Sequence, residues 1–157
     1  MHGTDHGAVF SVAWLGKTRV VGRVSAAVLV VLCLAGCKGG TVTPFRLERD
    51  AESLQSLAAD AAITANSAAK GDTTDAFVRA HIGELGKEAG ELADVVASAR
   101  PEPQLRKETR RLVALSRRVS VLLARLERDP GDRALARRVR AVCADVATRA
   151  ERLGESA

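Results

Sequence analysis

The sequence predicts an all-α protein, an up-down-up-down four-helix bundle that follows a cleaved N-terminal signal peptide. Three observations lead there. Apolar residues recur at steps of three and four from Leu47 to Leu153, and no stretch alternates with period two. Aromatic residues make up 3% of the chain and Tyr is absent, so alanine, leucine and valine must form the core. Small side chains suit closely packed helices better than a sandwich or barrel. Glycines and prolines interrupt the pattern at short connections, which make sequential helices antiparallel neighbours.

The elements follow in order. Thr43-Pro44 reads as an N-cap followed by proline at the first helical position. The first stripe is Leu47, Ala51, Leu54, Ala58, Ala61, Ala65 and Ala68, ended by Gly71. Asp72-Thr73-Thr74 caps a second helix whose stripe is Val78, Ile82, Leu85, Ala89, Leu92, Val96 and Ala99. Pro101 and Pro103 break the chain. A third segment carries Leu105, Leu112, Val119 and Leu126 seven apart, with Thr109, Ser116 and Leu123 between them. Asp129-Pro130-Gly131-Asp132 reads as a tight turn in which Asp129 caps and Pro130 leads the last helix. Its stripe is Leu135, Val139, Val142, Val146 and Leu153. The helices are expected at about 44–70, 74–99, 103–128 and 130–153, each ~35–40 Å long, within a domain of residues 44–157.

Ahead of this domain lies an export signal. Lys17, Arg19 and Arg23 form a basic region before the apolar run Val24–Leu34. That run has the length of a secretory signal core and is short of the ~20 apolar residues of a spanning helix. It ends in Leu34-Ala35-Gly36-Cys37, which resembles the lipobox of bacterial lipoproteins at all four positions. The resemblance implies a signal peptide of residues 1–36, diacylglycerol on the Cys37 thiol, and cleavage between Gly36 and Cys37. Acyl chains at ~0.8 kcal/mol per buried methylene make such an anchor durable. The expected location is the cell envelope, on the outer face of the cytoplasmic membrane or at an outer membrane. Residues 37–43 read as the lipidated cysteine and a short flexible tether. The region before Lys17 is longer than a signal needs, and translation is expected to start nearer Val20 or Val21.

Charge is unevenly placed. Residues 38–99 carry 6 basic and 10 acidic side chains, a net −4, whereas residues 100–157 carry 15 and 8, a net +7. In the heptad frame Arg110, Arg111, Arg117 and Arg118 fall on the outer face of the third helix. Such a face is either solvated or placed for anionic lipid or an acidic envelope polymer. Nucleic acid is not expected, because no aromatic side chains interleave to stack bases.

The second helix contains Gly83, Gly86 and Gly90 on one flank, each costing about 1 kcal/mol relative to alanine. That bare strip should admit another backbone, with the alanine-rich first helix the expected partner and a bound ligand or protein the alternative.

Chemistry-bearing residues are few. His81 sits at the edge of a core stripe, Cys143 reads as a small buried hydrophobe, and Ser98, Ser116 and Ser120 lack a His–Asp context. Once Cys33 is removed and Cys37 lipidated, no intramolecular disulfide is available. Neither a catalytic constellation nor a metal or cofactor site is expected. The sequence points to a non-enzymatic envelope lipoprotein that contacts a protein partner or a surface. The alternative is a bundle that binds a small anionic ligand.

Overall fold

The computed structural model describes residues 40–156; the export segment, the lipobox and Cys37 lie outside the described residues. Residues Lys38–Ala157 form one compact unit by themselves. Four helices make up nearly all of it: α1 (Pro44–Lys70), α2 (Asp75–Ser98), α3 (Arg106–Arg128) and α4 (Arg133–Glu155). The fold is all-α and bundle-like.

Capping sets most of the helix ends. The Thr43 hydroxyl accepts from the Arg46 N–H at 3.3 Å, and Pro44 opens α1 without wasting a donor. Gly71 ends α1 in the left-handed region at φ 79°, where its N–H and that of Asp72 bond back to the Ala68 and Ser67 carbonyls. The Thr74 hydroxyl caps α2 through the Phe77 N–H at 3.2 Å. α2 stops at Ser98 because Pro101 disfavours helical geometry at the residue before it. The first turn expected for the third helix, Pro103–Leu105, is a 3₁₀ turn that leads into α3.

α4 starts later than the sequence predicts. Asp132, not Asp129, is the cap: its Oδ1 accepts from the Ala134 and Leu135 N–H groups, both at 2.9 Å. Asp129 instead closes α3, donating its N–H to the Arg125 carbonyl, and Pro130 is buried in the turn. Asp132→Ala is therefore expected to cost about 1 kcal/mol in chemical denaturation, while Asp129→Ala costs only a few tenths. Equal losses would return the cap to Asp129.

The segment read as a flexible tether is held at its far end. Thr41–Val42 (β1) pairs in parallel with Arg100–Pro101 (β2), placing Thr41 opposite Arg100 and Val42 opposite Pro101. Pro101 has no N–H, so the bonds come from its neighbours: Arg100 donates to the Gly40 carbonyl and Glu102 to that of Val42, both at 3.3 Å. Val42 is fully buried. Two-residue strands have too short a hydrophobic pattern to be read from sequence.

All seven residues of the α1 stripe and all seven of the α3 stripe are buried. Thr109 and Ser116 enter the core because their hydroxyls donate to the Leu105 and Leu112 carbonyls one turn back. The other two stripes are rotated slightly. On α2, Leu92 is only partly buried while Gly86 and Ala93 are covered. On α4, Leu135 and Val142 sit at the edge, and the seam runs through Ala136, Cys143 and Ala150.

Partner choice explains these rotations. α1 packs most closely against α4, and α2 against α3; the α1/α2 and α3/α4 seams are looser. Alanines dominate α1, so the facing residues of α4 are also small, and Gly154 approaches Ala51 and the Glu48 carbonyl. The glycine strip likewise has a partner other than the one expected. Gly83, Gly86 and Gly90 face Glu127, Leu123 and Ser120 of α3, not the first helix. α3 carries leucines at this seam, and only a partner without side-chain bulk lets its backbone close in.

Candidate functional site

Arg110, Arg111, Arg117 and Arg118 of α3 are all exposed, and they form two rails. Residues seven apart on a helix nearly align, so Arg110 stands over Arg117 and Arg111 over Arg118, each pair separated by ~10.5 Å along the axis. Ala114 is the crest between the rails and borders the groove on either side.

The first groove lies between the end of α2 and the start of α3, with a volume of about 570 Å³. Val96, Ala99 and Val113 contribute its apolar floor, and Arg106, Arg110 and Arg117 its basic border. Arg117 Nη2 lies 4.0 Å from Asp94 Oδ1, an exposed pair worth little in water.

The second groove, of about 500 Å³, follows the looser α3/α4 seam. Arg111 and Arg118 line it from α3, and Arg149 and Arg152 from α4, above Leu115 and Leu153. Arg149 is paired with Asp145 at 2.9 Å. Among the described residues, Arg111, Arg118 and Arg152 make no ion pair. Sequence reasoning missed Arg149 and Arg152 because it treated each helix alone. Folding the chain about the 129–132 turn brings residue 150 opposite 111, and that signal was available.

Both grooves lie toward one end of the bundle. β1, which leads into α1, pairs with β2, which leads into α3, and Gly154 near the end of α4 sits beside Glu48 near the start of α1. Phe45, 72% exposed, projects from that same end.

Other polar groups occupy less basic surroundings. His81 Nε2 is 3.2 Å from Asp60 Oδ2, bridging α2 to α1, and the Phe77 ring stacks on the imidazole at 5.4 Å. This fits the edge position expected for His81. No group of three or more potential metal ligands occurs among the described residues. Cys143 is buried, and burial pushes its thiol up to about 11, with nearby Arg118 opposing the shift. A thiol so rarely ionised is a poor nucleophile. Burial also raises the Asp50 carboxyl above its ordinary range against the pull of Arg46 and Arg49. Its Oδ2 has no hydrogen-bond partner, and Arg46 Nε is 3.7 Å away.

Comparison with family models, with curated proteins and with solved structures finds no match to this chain.

Proposed function

We propose that this chain is a cell-envelope lipoprotein, anchored through a lipidated Cys37, whose up-down-up-down bundle is a non-enzymatic module for contact with a partner protein or an anionic surface. The observation that carries the surface contact is the exposure of Arg110, Arg111, Arg117 and Arg118 on the helix that starts at the anchored end. The Gly40 carbonyl accepts from the Arg100 N–H, which holds Gly40 beside the segment that leads into α3. Three residue steps from Gly40 back to Cys37 reach at most ~11 Å. That leash holds the end of the bundle close to the lipid in which the anchor sits.

The geometry also ranks the arginines. Measured along α3 from Arg106, Arg110 lies ~6 Å up the axis and Arg117 ~17 Å. Screening at physiological salt acts over ~8 Å. On this reading Arg106, Lys107, Arg110 and Arg111, nearest the anchored end, contribute most, and Arg117 and Arg118 join when the bundle leans on its α3 face. Exposed Phe45 adds an apolar group at the same end. Among the described residues no helix is long and apolar enough to cross a membrane.

The test has two arms. In cells, Cys37→Ala is expected to leave an unprocessed precursor without acyl label; labelling and cleavage at the same position would refute the anchor. In vitro, the unit of residues 38–157 should co-sediment with vesicles containing anionic lipid at low salt and be released near physiological salt. Replacing Arg110, Arg111, Arg117 and Arg118 with Gln should abolish co-sedimentation with helicity unchanged. A domain that stays in the supernatant at low salt marks the arginines as a solvated face.

A second reading, a bundle that takes a small anionic ligand, is favoured by the four arginines around the α3/α4 groove.

A further inference from the structure

We propose that the α3/α4 groove binds a phosphate monoester carried on an apolar chain, the head held by Arg111, Arg118, Arg149 and Arg152 and the chain laid on Leu115 and Leu153. The inference deepens the ligand reading above and does not depend on vesicle attachment.

Four guanidinium groups border one groove, and no carboxylate lines it among the described residues. The Asp145 carboxylate engages Arg149 from outside that lining. Like charges facing each other across a seam oppose its closure, and α3/α4 is one of the two looser seams of the bundle. An anion placed between the helices reverses that repulsion. The neighbouring groove differs in the placement of its charges: its three arginines, Arg106, Arg110 and Arg117, all come from α3, so no guanidinium faces it from a second helix.

The number of donors selects the anion. A guanidinium offers a planar fork that matches a pair of oxygens. One carboxylate has two oxygens and is saturated by one or two such forks. A phosphate monoester has three terminal oxygens and close to two negative charges, so it can engage four guanidinium groups drawn from both helices. The apolar floor selects the rest of the ligand. Leu115 is only partly buried, so an alkyl or acyl chain laid on it would remove its remaining exposed surface from water, with buried Leu153 closing the groove beneath. A free phosphate would leave that surface uncovered.

The experiment titrates the isolated unit of residues 38–157, whose core runs from Val42 to Leu153. Three probes are used below any micelle concentration and followed by NMR: dihexanoyl phosphatidate, dihexanoyl phosphatidylcholine and inorganic phosphate. Phosphatidate is expected to bind saturably at one site, shifting the Leu115 and Leu153 methyl signals and the Arg111 and Arg118 Nε signals. Phosphatidylcholine (same chains, no net charge) and inorganic phosphate (same anion, no chain) should each bind at least about tenfold more weakly. Arg111→Gln with Arg118→Gln should lower phosphatidate affinity at least about tenfold, while Arg110→Gln with Arg117→Gln changes it less than about twofold. All four substituted positions are exposed, so both variants should keep the parent helicity.

Equal losses in the two variants would overturn the site, as would absent shifts at Leu115 and Leu153. Inorganic phosphate binding as well as phosphatidate would overturn the role of the chain. Saturable phosphatidate binding without vesicle co-sedimentation would leave this inference standing and remove the surface-contact reading. The opposite pattern would do the reverse.

Discussion

Leu112→Asp is expected to abolish cooperative folding at neutral pH. Leu112 is fully buried at the centre of the α3 stripe, with Ser116 and Val119 following on the same seam. Removing a buried leucine side chain costs about 2–5 kcal/mol. Burying an unpaired carboxylate in its place adds several more. Together these match the roughly 5–15 kcal/mol by which a domain is stable. The expected far-ultraviolet circular dichroism trace has lost most of its helical signal or melts without a clear transition. Leu112→Met, close in volume, should keep a cooperative melt at a cost below about 1.5 kcal/mol. If Leu112→Asp melted within about 1 kcal/mol of the parent, α3 would not present this face to the core.

Gly86→Leu is expected to produce the second-largest loss, and its pattern identifies the helix it disturbs. A Cβ at Gly86 would lie 3.2 Å from the Leu123 Cβ and 3.8 Å from backbone atoms of Ser120 and Ala124. The rest of a leucine has nowhere to go without separating α2 from α3. Overpacking of this kind costs about 1–3 kcal/mol. Adding Leu123→Ala to Gly86→Leu should recover part of the loss, with a coupling of about 0.5–3 kcal/mol. The equivalent cycle with a residue of α1 should show none. Gly83→Ala has the opposite expected sign, because only the flexible Glu127 carboxyl end stands in its way, and alanine gains up to about 1 kcal/mol of helix propensity. Absence of coupling to Leu123 would return the glycine strip to the first helix.

Most of the helical architecture was legible because its signals are local. The caps at Thr43 and Thr74, the left-handed stop at Gly71 and the complete stripes of α1 and α3 each depend on residues within a turn or two of one another. The start of α4 was misread where two aspartates compete within four residues. Asp129 follows the end of α3 so closely that its backbone is used there, which leaves Asp132 to cap. Half of the second groove was legible as well: the rails on α3 follow from spacing alone. The other half, Arg149 and Arg152, needed the placement of α4 beside α3 in the folded chain.

The sequence alone determined that this chain is helical, where α1 and α2 begin, which faces of α1 and α3 turn inward, and that its third helix is lined with arginines. Only the tertiary structure decided that α1 closes on α4 and α2 on α3, that Gly86 meets Leu123, and that Val42 is pinned beside Pro101. Hydrophobic periodicity says that a face is buried but not against what. That choice depends on matching side-chain volumes between segments far apart in the chain: Gly154 against Ala51 in one pair, Gly86 against Leu123 in the other. One of the two looser seams left over from those close fits, α3/α4, is where arginines of both helices border a single groove.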